Sequence, residues 1–571
     1  MRRTGIALLF LAAVAAQVEG QAPVAPRVTL QGRVIARGSG NPVADARLVA
    51  AKVGGTVEDY RTTTSDSSGR FVVRDLSPGS YRVHADAAGF LRSEHGRTPV
   101  ASAGTPIVLA ERSAGADVVV MLTPTGVIAG RVTDRGRPAR NVWVRALKPT
   151  YRDGQRFLNV EEYAVTDDRG DYRLFGLSPG TFFVSAIPAG RPRLDGEALV
   201  TQVVPSNANG NRSEVRAPAT LDTITPAAFE TGVSPAVYYP NTMDPAAATG
   251  IEVAPGATVL AIDVALTRTA TFRVRGRINT QGLAGSPRVR VSVFPAESGT
   301  ASAIPGIEVP VGDFDLPGVL PGRYHLSAQM LPAPGERSAP LVMARVPIEV
   351  WDRDLDGVVA LLQPGVSVSG RVLVDGAPPA AEQLPSIQLV GMNGLPGSSA
   401  RRVDADGAFT IENVAIGNYR WRLIPFGGGL RNPLWAKTAL FGGDDVSNRF
   451  VSVGAGAASS RFEVDISTRT ATLEAIVIDD RRRPMAGVLV VAVPEPTRRM
   501  HSDAYRSGVT DAEGRVKFEG MVPAAYVLFA TETVPAEAWQ DPAVWKRHDG
   551  KGLAVTLVEA AARLVELRIT S

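Results

Sequence analysis

The sequence predicts an all-β chain: a tandem array of five prealbumin-like or Ig-like antiparallel β-sandwich domains. Three observations predict it. A turn motif returns five times with fixed internal spacing, apolar and polar residues alternate after each turn, and turn residues are abundant while cysteine is absent. The 57 glycines and 42 prolines make up about 17% of the 571 residues, against roughly 12% in an average chain. With 44% hydrophobic residues the chain is too apolar to be disordered. The lack of cysteine excludes a disulfide frame, a thiol nucleophile and a Cys-ligated metal. A net charge of +4 over the whole chain excludes a nucleic-acid footprint, despite an isoelectric point near 9.3.

The first segment is read apart from the fold. Met1-Arg2-Arg3 is a positive start, Ile6 to Ala16 is apolar, and small residues lead to Glu19-Gly20-Gln21. Residues 1–20 therefore read as a secretory signal peptide, too short to span a bilayer. No later stretch reaches eighteen uninterrupted apolar residues, so no membrane span is expected after its removal. The expected location is secreted, in the periplasm or at the outer cell surface.

The repeat comes next. Gly69-Arg70-Phe71 precedes Leu76-Ser77-Pro78-Gly79-Ser80-Tyr81, and Gly170-Asp171-Tyr172 precedes Leu177-Ser178-Pro179-Gly180-Thr181-Phe182. The pattern returns around Phe314 and Gly322-Arg323-Tyr324, around Phe409 and Gly417-Asn418-Tyr419, and around Val516 and Ala524-Ala525-Tyr526. Upstream, Gly32-Arg33-Val34, Gly130-Arg131-Val132, Gly276-Arg277-Ile278 and Gly370-Arg371-Val372 open four copies; Ala475-Ile476-Val477 opens the fifth. These starts are 98, 146, 94 and 105 residues apart, a domain-sized period. The predicted boundaries are 27–124, 125–268 with an insertion at about 188–255, 269–363, 364–469, and 470–571 with a short helix near 536–548.

Within each copy the residues specify strands. Tyr81, Val83 and Ala85 alternate with polar neighbours, as do Phe182, Val184 and Ala186, and their counterparts in the other copies. The Pro-Gly pairs suit the centre of a type II turn, and Ala524, which lacks the glycine, is expected to take another turn or carry strain. Asp66–Gly69 and Asp511–Gly514 read as hairpin turns. Val142, Val144 and Ala146 form a second strand, and runs such as Val358–Leu362 close several copies.

The Gly-Arg-Val opening, Asp-x-x-Gly-x-Phe and Leu-x-Pro-Gly-x-Tyr together resemble the carboxypeptidase regulatory-like domain, also described as transthyretin-like or carbohydrate-binding-like. The resemblance covers nearly all of residues 28–571, most closely in copies one and two. It implies a seven-stranded sandwich, often repeated in secreted or outer-envelope bacterial proteins, that acts as an accessory module without catalytic residues.

Motifs that could carry chemistry resolve mostly into turns. Gly176-Leu177-Ser178-Pro179-Gly180 matches the nucleophile pattern G-x-S-x-G, but copy three has Leu320 where the serine stands. Asp352–Asp356 with Gly357 imitates a calcium loop, yet its twelfth position is Gln363. The five histidines form no metal-ligand pair. No catalytic residue, metal or cofactor is expected, and a hydrolase within the copy-two insertion is a remote alternative. Stacking on exposed aromatics is the remaining chemistry: Trp143, on the outer side of its strand, with Tyr238, Tyr239 and Trp435 in loops or the insertion, are the candidate ligand contacts. Trp421, Trp539 and Trp545 are assigned to packing. The sequence thus points to a non-catalytic binding or scaffold protein whose partner is a polysaccharide or an envelope protein. The alternative is a structural spacer or partner-docking array.

Overall fold

A computed structural model describes residues 27–570 apart from 57–58, 98–103, 111–115, 153–154, 189–235, 268, 281–286, 297–303, 333–339, 381–383, 393, 426–433, 457–459, 500, 533 and 535. The leader and the Ser206–Gly210 run lie outside the described residues. Two units divide the chain, one holding most residues up to Leu122 and the other the rest.

Alternation along each copy produces the same strands five times. The opening strands are Val28–Ala36, Gly126–Asp134, Phe272–Thr280, Val366–Val374 and Ala471–Val477. The second strands are Arg47–Lys52, Val142–Arg152, Arg288–Pro295, Ser386–Gly391 and Leu489–Pro494. Arg70–Leu76, Asp171–Leu177, Gly312–Val319, Ala408–Val414 and Arg515–Met521 are the motif strands. After the turn run the aromatic strands Gly79–Asp86, Gly180–Pro188, Gly322–Met330, Gly417–Ile424 and Ala525–Thr531.

One layer of each sandwich pairs the opening strand antiparallel with the motif strand. The other layer pairs the second strand antiparallel with the aromatic strand. The sandwich expected from the sequence is present, with parallel pairing at the opening strand of every copy. Each opening strand also runs parallel to the strand that closes its copy. In the third copy Val342–Val350 pairs with both the aromatic strand and the closing strand, joining the two layers at one edge.

The residues assigned inward fill the cores. Tyr81, Val83 and Ala85 are buried, as are Phe182, Val184 and Ala186, and Tyr419 and Trp421. Trp421 donates its indole N–H to the Val446 carbonyl at 2.8 Å and stands edge-on to Phe462. The position of the aromatic in the motif has a second reason. Tyr81, Tyr419 and Tyr526 each donate a hydroxyl proton to the carbonyl four residues earlier, at 2.9 Å, pinning the turn they follow.

The turn itself differs from the expectation. Gly79 has a φ of 149° and Gly417 one of 151°, far from the roughly +80° of a type II turn. The left-handed residue sits earlier, at Asp75, Gly176, Gly318, Asn413 and Gly520. Here the motif strand carries a β-bulge against the opening strand in all five copies. Asp, Asn and Gly are the residues that enter this region most readily. Ala524 needs no positive φ, so the fifth copy forgoes the glycine without the strain expected of it.

Hairpin turns behave as read. The Asp66, Asp167 and Asp511 carboxylates each accept two backbone N–H bonds across their turn. Just before each aspartate, Ser65, Thr166 or Thr510 is buried, accepts an N–H from the second-strand region and donates to a carbonyl. A buried hydroxyl bonded in both directions leaves no polar penalty in the core.

Copies four and five meet through ion pairs. Lys437 lies 2.6 Å from Asp375 and 3.1 Å from Glu559, and Arg469 lies 2.7 Å from Glu559. The bond from Lys437 holds the Asp375 carboxyl below its ordinary value of 3.8, while Asp375 and then Glu559 hold the Lys437 ammonium above 10.5. The contribution of Asp375 is therefore whole above pH 3.8 and is lost as pH falls through its lowered value. Hydrogen exchange corrected for intrinsic rate should rise in 434–441 and 557–561 as pH is taken below 3.8. A Lys437→Met chain should already show that exchange at neutral pH; equal protection in both chains would refute the junction.

The opening glycines are required for space. A Cβ at Gly32, Gly130, Gly276 or Gly370 would lie 1.9, 2.1, 1.9 or 2.0 Å from a closing-segment carbonyl oxygen, that of Val118, Ile262, Val358 or Phe462. Opposite these glycines stand Phe71, Tyr172, Phe314 and Phe409. The fifth copy replaces both partners at once, pairing Ala475 with Val516. Gly370→Ala should cost about 3 kcal/mol through a clash with backbone. Ala475→Gly should cost about 1 kcal/mol or less, the ordinary backbone entropy of glycine in a strand. Hydrogen exchange of the two sandwiches in the full chain measures both; equal losses would show that the close approach is not what selects glycine.

Candidate ligand face

The second sandwich turns an aromatic face outward. On its second strand Val142, Val144 and Ala146 enter the core, so Trp143 and Arg145 take the opposite side. Trp143 pairs across with Val165 and Ile187. Arg145 pairs with Tyr163 and Ser185, and Ser185 pairs in turn with Tyr238. Direct cross-strand partners share a face. Trp143, Tyr163, Arg145, Ser185 and Tyr238 therefore occupy two adjoining rows on one side of the sheet.

Two aromatic rings lie side by side on this side of the sheet. The Trp143 and Tyr163 rings lie 5.2 Å apart with a 35° tilt, and both side chains are partly exposed. Arg145 donates from Nε to Ser185 Oγ at 3.2 Å. Glu162, beside Tyr163, accepts the Tyr163 N–H at 3.0 Å, and burial raises its carboxyl above the usual glutamate value. The two part-exposed rings beside the Arg145 guanidinium offer apolar stacking surface and a hydrogen-bond donor, while Ser185, like Leu147, Phe183 and Ile187 on the same side, is buried and serves to hold Arg145.

Of the four residues picked from the sequence, Trp143 and Tyr238 come together on this face. Tyr239 faces the other way and packs, partly exposed, against the core of the second sandwich, so it does not join this face. Consecutive strand residues point to opposite faces, and only one of the Tyr238–Tyr239 pair can look outward. Trp435 belongs to an edge strand of the fourth sandwich, where its N–H points to the Arg469 carbonyl at 3.4 Å. Tyr163, Arg145 and Ser185 were missed. The alternation of Tyr163 and Val165 just before the Asp167 turn was the signal that would have placed a hairpin strand beside Trp143.

The other motifs fall where sequence placed them. Ser178 lies in the turn, where its N–H donates to Glu161 Oε1 at 2.8 Å and Lys148 donates to its hydroxyl at 2.5 Å. The first copy repeats the lysine contact from Lys52 to Ser77 at 3.0 Å, so the pair belongs to the repeated turn. The Asp354 and Asp356 carboxylates pair with Arg275, and the strand Leu355–Pro364, which contains Asp356, overlaps the supposed calcium loop. Among the described residues no three His, Cys, Asp or Glu side chains cluster as metal ligands. Trp539 is fully buried in a cap formed by Ala536–Gln540 and Pro542–Arg547 over Leu489, Val491, Val493 and Phe529. No helix of the described residues is long and apolar enough to cross a membrane.

Residues 29–110 match the family described as the carboxypeptidase regulatory-like domain. No curated protein sequence matches the chain. Among solved structures, a streptococcal ancillary pilin is 12% identical, covering 59% of this chain and 98% of its own, with a TM-score of 0.19. A minor pilin of Streptococcus agalactiae is 11% identical over 42% of this chain and 96% of its own, TM-score 0.21. The major pilin subunit of Bacillus cereus is 10% identical over 53% and 100%, TM-score 0.15. At such scores the likeness lends no weight to a shared function.

Proposed function

We propose that this chain is a non-catalytic, secreted array of the bacterial envelope that binds a polysaccharide through the outer face of its second sandwich. Domains bounded at 27–124, 125–268, 269–363, 364–469 and 470–571 are its units, and residues 1–20 direct its export. The observation that carries the reading is the part-exposed Trp143–Tyr163 pair set beside Arg145 and on the same side as Tyr238, with the buried Ser185 holding Arg145. Sugar rings stack on such surfaces through their C–H faces while hydroxyls take the polar neighbours, and several modest contacts along a polymer add through avidity.

A protein partner is the second reading, favoured by strand Gln155–Val165. It forms the edge of its sheet, and its 11 residues give it room to accept an added strand. The two readings separate in one experiment. Polysaccharide pull-down and glycan-array binding by the full chain should fall roughly tenfold or more in Trp143→Ala, as for a central aromatic contact. Failure to bind any glycan at millimolar concentration, or binding unchanged by the substitution, would reject the sugar reading. Cross-linking in native envelopes that recovers one dominant protein would favour the second.

A further inference from the structure

Two segments depart from the plain repeat within the larger unit, and they meet. The second and third strands of copy two, Val142–Arg152 and Gln155–Val165, are 11 residues each. Their counterparts in copy one are 6 and 5 residues, and in copy five 6 and 4. The extra length carries a hairpin arm beyond the body of its sandwich. Copy five adds the cap of residues 536–547 after its aromatic strand. At the end of the arm the Tyr151 hydroxyl donates to Asp541 Oδ2 in that cap, at 2.6 Å and across 390 residues of sequence. The same cap stretch, Ala536–Gln540, packs against both Val142–Arg152 of copy two and Leu489–Pro494 of copy five.

The geometry points to a latch: the copy-two arm and the copy-five cap form a separable intramolecular clasp that ties two sandwiches not adjacent in sequence. Each half is built on its own sandwich. The arm continues the hydrogen-bonded ladder of its hairpin, and the cap rests on the apolar cluster of Leu489, Val491, Val493 and Phe529. Neither half needs the other in order to fold, so the contact can open while both sandwiches stay intact. The bond that closes it is charge-assisted and partly removed from water, and burial followed by the Asp541 bond raises the Tyr151 hydroxyl above its ordinary value. Arg156 and Arg547 stand near enough to oppose that rise. Copies three and four, which lie between the two in sequence, are bypassed by this tie.

The absence of native cysteine allows a direct test in the full chain. Arg173→Cys and Arg563→Cys place one spin label on an exposed strand of each sandwich. Pulsed dipolar spectroscopy should give a single narrow label-to-label distance. Adding Tyr151→Phe with Asp541→Ala should lower the population at that distance, with the latch equilibrium shifting roughly tenfold for loss of one such bond. Circular dichroism reports whether both sandwiches remain folded; if the double variant does not fold, Tyr151→Phe alone, which keeps the ring, carries the test. A narrow distance that persists unchanged in the folded variant would overturn the latch. So would a broad distribution in the labelled chain before either substitution.

Discussion

The approach of the closing strand to the opening strand is the constraint on which four of the five sandwiches depend. The carbonyls of Val118, Val358 and Phe462, with that of Ile262 beside the interrupted closing strand of copy two, come so near that four opening positions tolerate no side chain. This parallel contact sets the closing strand of each copy beside its opening strand, running the same way. The chain therefore leaves each sandwich from the sheet it entered, at the opposite end of that sheet. Glycine leaves the sheet thin at these points, and the aromatic opposite covers the gap, as with the Phe314 and Phe409 rings at Gly276 and Gly370. Strand pairing and core filling are thus settled at a single cross-strand pair.

Much of this was legible in the sequence because the repeat displays it several times over. Alternation at Tyr81-Val83-Ala85 and its counterparts specified the inward face, and the structure buries those residues. The carboxylates of Asp66 and Asp511 were readable as turn formers because an Asp side chain bonds its own backbone two and four residues on. The parallel pairing was not legible. Alternation shows which face of a strand is buried but says nothing of which neighbour it joins or in which direction. The bulge was visible in principle at Asp75, Gly176, Gly318, Asn413 and Gly520. In the first three copies the Pro-Gly pair that ends four residues later is the stronger turn signal and masks it.

The ligand face shows a sharper limit. Trp143 could be placed outward from its own strand alone, since Val142 and Val144 flank it. Its partner Tyr163 comes from the other arm of a hairpin, and their meeting depends on register, including the irregularity between Ala146 and Leu147. Tyr238 and Tyr239 were equivalent in sequence, and only the pairing of Tyr238 with Ser185 assigns it to the outer side of the sheet. A site assembled across three strands is fixed by cross-strand registers that no single segment encodes.

The contact between Tyr151 and Asp541 has a mechanical meaning. Covalent chain and side-chain contact form two routes between the second and fifth sandwiches, arranged in parallel. Tension drawn between those sandwiches loads the short route first, leaving the third and fourth slack until the contact gives way. The hydroxyl–carboxylate pair would then behave as a sacrificial bond, yielding before any β-sheet is sheared and releasing a stored length of folded chain.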